Sequence, residues 1–171
     1  IGLVIAAAFY IISLYNGLVD KRTRSEEAWS GIEVQLKRRH NLIPNLVETV
    51  KGYAAHEKDT FEKVVQARNS AITAGQGTTT ATAQAESQLT GALRQLFALA
   101  EAYPDLKSDQ TMQQAQLSYN EVETKIAAAR RFYNSAVGQL NNSIEIFPGN
   151  IIAPYEKASL MPFYQADEAS K

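Results

Sequence analysis

Histidine, acidic and hydroxyl side chains are the groups of this chain that could hold a metal or carry catalysis. The chain has only 2 histidines and no cysteine among 171 residues. The string from His56 to Thr60 begins like the zinc motif H-E-x-x-H, but threonine stands where the second histidine ligand is needed. Neither His40 nor His56 follows a glutamate at the Glu-x-x-His spacing of a di-iron helical bundle. The sequence therefore predicts no metal centre.

Two further reactive patterns are incomplete. No Gly-x-Ser-x-Gly motif presents a serine nucleophile, and the absence of cysteine excludes a thiolate nucleophile and disulfides. Gly75-Gln76-Gly77 begins like a phosphate-binding motif, but Thr80 replaces the third glycine and no strand pattern precedes it. We therefore predict a protein that is not an enzyme and binds no cofactor.

The charge balance argues against nucleic acid as a partner. The chain has 17 basic and 18 acidic residues, a net charge of -1. Such a chain lacks the positive field that attracts a phosphate backbone.

Residues 1–19 contain no ionisable acid or base, and the first charged residue is Asp20. A helix of this length is about 28 Å long, close to the hydrocarbon thickness of a bilayer. Tyr10 and Tyr15 suit a membrane interface. A buried core helix and a cleaved signal peptide are the alternatives, but no small-residue cleavage site is evident. The run predicts a single transmembrane helix over 1–19, with the lipid bilayer as a partner.

Three basic residues follow this run and predict its orientation. Lys21, Arg22 and Arg24 are expected to contact lipid headgroups and to keep the remainder of the chain in the cytoplasm. Because the chain begins at Ile1 and not at Met, we expect residues upstream, and basic residues there would reverse this orientation.

Beyond Asp20 the apolar residues follow helical spacing. One seam alternates steps of four and three: Ser25, Trp29, Ile32, Leu36, Arg39, Ile43, Leu46, Val50 and Tyr53. Pro44 lies inside this seam and predicts a kink or a break, because proline removes one backbone hydrogen bond.

Three more stripes predict three more helices. The second helix begins with a capping box at Asp59–Glu62, carries Phe61, Val65, Arg68 and Ile72, and ends at a loop around Gly75. The third runs from Leu89 to Tyr103 and ends before Pro104. The fourth, from Met112 to Leu140, has the most regular heptad pattern. The predicted fold is all-α, with the membrane helix continuing into an elongated antiparallel helical bundle.

The C-terminal segment is apolar and contains Pro148, Pro154 and Pro162. Because proline interrupts helices, we predict an irregular tail that packs along its own bundle or in a groove of a neighbour. The predicted segments are therefore a transmembrane helix over 1–19, a bundle over 20–143 and an extended tail over 144–171.

Two arginines occupy seam positions where apolar residues are expected. If Arg39 and Arg68 are buried, their guanidinium groups need acceptors, and the sequence predicts an internal polar layer that fixes helix register. The candidate partners are Asn45, Glu48, Glu101, Glu123 and Asn134. The alternative is that drift from a period of 3.5 to 3.6 residues turns both arginines toward solvent.

Three segments have long and specific sequence motifs: Val34-Gln35-Leu36-Lys37-Arg38-Arg39, the run from Leu42 to Ala54, and Tyr103-Pro104-Asp105-Leu106-Lys107. These motifs resemble those of the LemA family of bacterial membrane proteins. Asn41, where the family usually has aspartate, and residues 155–160 depart from the pattern. The resemblance implies an anchor in the bacterial inner membrane, a helical bundle and no established enzymatic activity. In the family, links to membrane-associated proteases and to membrane remodelling have been suggested.

The predicted function is a membrane-anchored scaffold. Long seams and an anchor that concentrates the chain in two dimensions favour a homo-oligomer, or a bundle surface presented to a membrane protein partner. The alternative is a membrane-anchored sensor or receptor module with an unknown ligand.

Overall fold

The computed structural model describes residues 1–165. Within them the chain forms α-helices and no strands, which confirms the predicted all-α class. The helices are α1 (Gly2–Tyr53), α2 (Lys58–Ala74), α3 (Thr79–Glu101), α4 (Pro104–Ser108), α5 (Gln110–Glu145) and α6 (Gly149–Glu156).

The chain forms two compact units. The first comprises Ile1–Ile32 and Ala128–Phe163, and the second comprises Glu33–Ala127 together with residues 164–165. These units are defined by which parts of the chain pack together. The predicted segments 1–19, 20–143 and 144–171 are defined by the pattern of apolar, charged and proline residues along the sequence. The division into those three segments therefore stays a prediction.

The seam of α1 has the predicted register. Its buried members include Ile32, Leu36, Ile43 and Val50, while Tyr53 at the end of the helix is 43% exposed. The expected break at Pro44 does not occur, because α1 is helical from Gly2 to Tyr53.

The stripe of α2 lies one residue from its predicted position. Val64 and Ala71 are fully buried, whereas Val65 and Ile72 are 44% and 38% exposed. Both patterns satisfy helical spacing, and the one that packs in the core contains Phe61. The predicted stripe of α3 is buried at Leu89, Leu93, Leu96 and Ala100.

Side chains cap the N-termini of α3 and α5. The capping box predicted for α2 does not form. The residue before α2 is Glu57, which makes no capping hydrogen bond. Thr78 caps α3 by accepting a hydrogen bond from the Ala81 N–H, and Asp109 caps α5 by accepting one from the Met112 N–H at 2.9 Å. The Met112 N–H, followed by the Tyr53 hydroxyl, lowers the pKa of the Asp109 carboxyl.

In the first unit, α1 and α5 run antiparallel. The rings of Trp29 and Tyr133 lie 5.4 Å apart, and further toward the N-terminus of α1 Leu18 packs with Leu140. Ala153 of α6 joins this core. The segment predicted to be irregular therefore contains a short helix, α6. Pro154 lies inside this helix, near its C-terminal end.

The chain after α6 is held on α5 by hydrogen bonds to the backbone. The Asn141 side chain accepts a hydrogen bond from the Met161 N–H and donates one to the Met161 carbonyl, both at 2.9 Å. The Tyr133 hydroxyl donates to the Pro162 carbonyl at 2.9 Å. This part of the tail packs along its own chain.

Candidate functional site

A cluster of polar side chains lies inside the second unit and is named here the Arg39 cluster: Arg39, His40, Glu86, Thr90 and Glu123. The Arg39 guanidinium donates through Nη1 to Glu123 Oε1 at 2.8 Å. Through Nη2 it donates to the Glu86 carbonyl at 2.8 Å and to Thr90 Oγ1 at 2.9 Å. The same nitrogen lies 3.2 Å from the Glu86 carboxylate oxygen Oε2. One arginine of α1 therefore joins α3 and α5.

Most of this charge is removed from water. The side chains of Arg39 and Glu86 are 3% and 4% exposed, and that of Glu123 is 31% exposed. A buried guanidinium is tolerated only when acceptors surround it. The geometry of the three helices is thus constrained by directed bonds as well as by apolar packing.

His40, the next residue on α1, shares the Glu86 carboxylate. Its Nε2 lies 2.6 Å from Glu86 Oε1, and the imidazole is 11% exposed. Glu86 therefore faces two side chains of α1, one through each carboxylate oxygen.

Arg68 of α2 makes a different kind of contact. Its Nε donates a hydrogen bond to the backbone carbonyl of His40 at 2.8 Å. In a regular helix that carbonyl would accept from the N–H of residue 44, but Pro44 has no N–H to donate. Arg68 thus supplies the hydrogen bond that Pro44 removes, and the helix continues through the proline with this carbonyl satisfied.

The structure brings together only some of the residues predicted for a polar layer. Arg39 and Glu123 are in direct contact, and Arg68 is bound to the backbone beside them. Asn45 and Glu101 are exposed and lie outside the cluster, as does Glu48. Each of these three is adjacent in sequence to a buried apolar residue, and its own side chain points away from the core. Asn134 belongs to the other compact unit.

Glu86 was not among the predicted residues, although the sequence carries a signal for it. Thr82 and Glu86 precede Leu89 at steps of four and three, which extends the buried stripe of α3 toward its N-terminus. A charged residue at a seam position of α3 is the natural counterpart of Arg39 at a seam position of α1.

Tyr119 lies on α5 one turn before Glu123, and its ring is 5.0 Å from that of Phe97. Burial raises the pKa of the Tyr119 phenol well above its ordinary value. The positive charge of Arg39 acts in the opposite direction, while Glu123 raises the pKa further. The hydroxyl is therefore neutral at physiological pH.

The arrangement supports structural bonding better than catalysis. The Thr90 hydroxyl donates to the Glu86 carbonyl and so is not presented to the imidazole of His40. His56 is exposed on the surface. Among residues 1–165, no group of three or more His, Asp or Glu side chains is arranged to hold a metal ion.

The apolar run at the start of α1 is exposed over almost its whole length. Leu3, Phe9 and Ile12 are 85%, 69% and 55% exposed, so this segment is not a buried core helix of the chain. Of the predicted headgroup contacts, Arg24 is exposed and Lys21 is partly buried. Arg22 forms ion pairs with Glu26 and with the buried carboxylate of Glu156.

These features define an all-α protein with a buried ion-pair cluster and one N-terminal helix that is long and apolar enough to cross a membrane. A family model for the LemA family matches residues 28–171, and the chain belongs to that family. The resemblance predicted from the sequence strings is thereby confirmed.

Three relatives are similar over most of the chain. Magnetosome protein MamQ 2 of Paramagnetospirillum magneticum is 28% identical over 88% of this chain and 64% of its own length. Magnetosome protein MamQ of Magnetospirillum gryphiswaldense is 25% identical over 84% of the chain and 61% of its own length. Protein LemA of Metamycoplasma hominis is 27% identical, with 95% and 74% covered. The chain thus spans just under two thirds of the two MamQ relatives.

Proposed function

We propose that this chain is a membrane-anchored helical scaffold without enzymatic activity. Residues 1–19 cross the inner membrane once, and the remaining helices are presented on the cytoplasmic side to further copies of the chain or to another membrane protein. The observation that carries this proposal is the exposed, uncharged start of α1, which needs an apolar solvent. The likeness to magnetosome proteins supports a membrane-associated role.

The anchor is tested by placing lysines in the apolar run. A variant with Ile5→Lys, Phe9→Lys and Ile12→Lys is expected to move from carbonate-washed membranes to the supernatant. Each lysine near the centre of a spanning helix costs about 2.5–3.5 kcal/mol of insertion free energy. Exposed apolar residues outside the run provide the matched control, so Val34→Lys with Leu117→Lys should stay in the membrane fraction. Unaltered chain in the supernatant would contradict the anchor.

Self-association is supported by the outward face of α2. There the exposed Val65 lines an open groove of about 1060 Å³, which also reaches the buried Phe61 and has Lys51, Lys58 and Glu62 among its other lining residues. A twofold interface brings the same surface of two copies together. Because Lys51, Lys58 and Glu62 lie beside the apolar residues of the groove, the basic residues of one copy can pair with the acidic residue of the other.

We expect detergent-solubilised chain to sediment as an oligomer at micromolar concentration, and Val65→Lys with Ile72→Lys to shift it toward monomer. Both side chains are exposed, so this change spares the core. Leu117→Lys, at another exposed apolar residue, serves as the control. A ring or array in electron micrographs would support the scaffold. A strictly monomeric unaltered chain would contradict self-association.

The second candidate function is a sensor module, favoured by the volume of the same groove, which falls at the upper end of small-molecule sites. Ligand-dependent thermal shifts that disappear in the Val65→Lys variant would support the sensor over the scaffold.

A further inference from the structure

Helix α6 is apolar on two opposite faces. One face packs in the first unit through Ile152 and Ala153. The other carries Ile151 and Tyr155, spaced by four residues and 57% and 82% exposed, and Phe147 in the turn before the helix is 73% exposed. A helix with two apolar faces normally has both of them covered, by a protein core or by lipid. The outer face of α6 has no such cover from the described chain.

This outer face forms one wall of a groove whose other wall is α1. The groove has a volume of about 610 Å³, and none of its lining residues is charged. Five of them lie between Tyr10 and Tyr15 on α1, and the other five lie between Phe147 and Tyr155, in α6 and the turn before it. The α1 wall therefore belongs entirely to the uncharged run 1–19.

Two contacts fix the level of α6 along α1. Ala153 packs in one core with Leu18 and Leu140. At the C-terminal end of α6, the Glu156 carboxylate pairs with Arg22, just beyond the last apolar residue of the run. Helix α6 thus lies beside the second half of the run and ends where the charged residues of α1 begin. From Tyr10 to Arg22 the helix rises about 18 Å, roughly the depth of one leaflet.

We infer that α6 is a second membrane-contacting element, set into one leaflet beside the anchor, and that lipid acyl chains fill the groove between them. The inference rests on the proposed anchor. When α1 spans the bilayer, Tyr10–Tyr15 contact lipid acyl chains. These residues form the α1 wall of the groove, so the same acyl chains also contact the wall formed by α6. Lys21, Arg24 and Lys157 lie at the charged edge and match anionic headgroups. Tyr155 suits the interface between acyl chains and headgroups.

Tryptophan fluorescence in vesicles tests this placement. Trp29 is the only tryptophan, so Trp29→Phe leaves a silent background that keeps an aromatic ring against Tyr133. In that background, Ile151→Trp and Tyr155→Trp are made singly in the full chain. The vesicles contain phosphatidylglycerol and phosphatidylcholine that is brominated, in separate preparations, in the upper or in the lower part of its acyl chains, so that tryptophans at the interface and at the midplane are both within reach of bromine. Phe9→Trp reports the anchor. Phe132→Trp, exposed on α5 near the level of Trp29, is the control outside the apolar region.

We expect the two α6 tryptophans to show blue-shifted emission and severalfold more bromine quenching than Phe132→Trp. If Phe9→Trp is quenched but the α6 tryptophans are not, the anchor holds and the lipid contact of α6 is wrong. Blue-shifted, unquenched α6 emission would assign the groove to a protein partner and also overturn the inference. If Phe9→Trp itself is unquenched, the anchor fails and the inference fails with it.

Discussion

The Glu86→Ala variant is expected to lose about 3–5 kcal/mol of the free energy of unfolding, the usual cost of removing one partner from a buried ion pair. Arg39 would keep its bond to Glu123, but its Nη2 would lose the nearby carboxylate, and His40 would lose its only described side-chain partner. The loss is measured by urea denaturation of the full chain in detergent, followed by helical circular dichroism.

Glu101→Ala is the matched control for this measurement. Glu101 lies on the same helix and has the same side chain, but it is exposed. Its replacement is expected to change the free energy of unfolding by no more than about 0.5 kcal/mol. Equal effects of the two substitutions would show that the Arg39 cluster contributes no specific stabilisation.

The Arg68→Met variant is expected to lose about 1.5–3 kcal/mol of stability, the contribution of a hydrogen bond from a charged donor. Methionine retains much of the aliphatic length, so the loss reports the bond to the His40 carbonyl. Lys63→Met, an exposed cation of the same helix, should be nearly neutral.

The proline supplies a second test of the same bond. In a Pro44→Ala background, the alanine N–H can donate to the His40 carbonyl, so Arg68→Met should cost about 1 kcal/mol less than it does beside the proline. If the effects of the two substitutions on stability are additive, Arg68 does not act by replacing the hydrogen bond that Pro44 removes.

The helices could be predicted because their signal is local. The seam from Ser25 to Val50 repeats within one stretch of chain, and in the structure its residues are buried, apart from Trp29, which is partly buried. The result at Pro44 could not be predicted in this way, since the donor that satisfies its neighbour lies 28 residues away on another helix. Likewise, Val64 and Val65 satisfy the spacing of α2 equally well, and only packing against α3 selects Val64.

The candidate site could be predicted only in outline. The anomaly of Arg39 in an apolar seam pointed to a polar cluster, and Glu123 was among its predicted partners. Asn45 and Glu101 are also polar residues on helices, but each lies one position from a buried residue. One position along a helix turns a side chain by about 100°, so both side chains are exposed to solvent. To predict Glu86 one would have to align the seams of α1 and α3 at a sequence distance of 47 residues, which periodicity alone does not supply.

Because one carboxylate faces both Arg39 and His40, positions 39, 40 and 86 are not free to change one at a time. A neutral residue at 86 would leave His40 without its carboxylate partner and Arg39 with Glu123 as its remaining carboxylate, whereas an apolar residue at 39 would leave a carboxylate buried beside an imidazole. The effect of a substitution at one of these positions on the free energy of unfolding therefore depends on which residues occupy the other two.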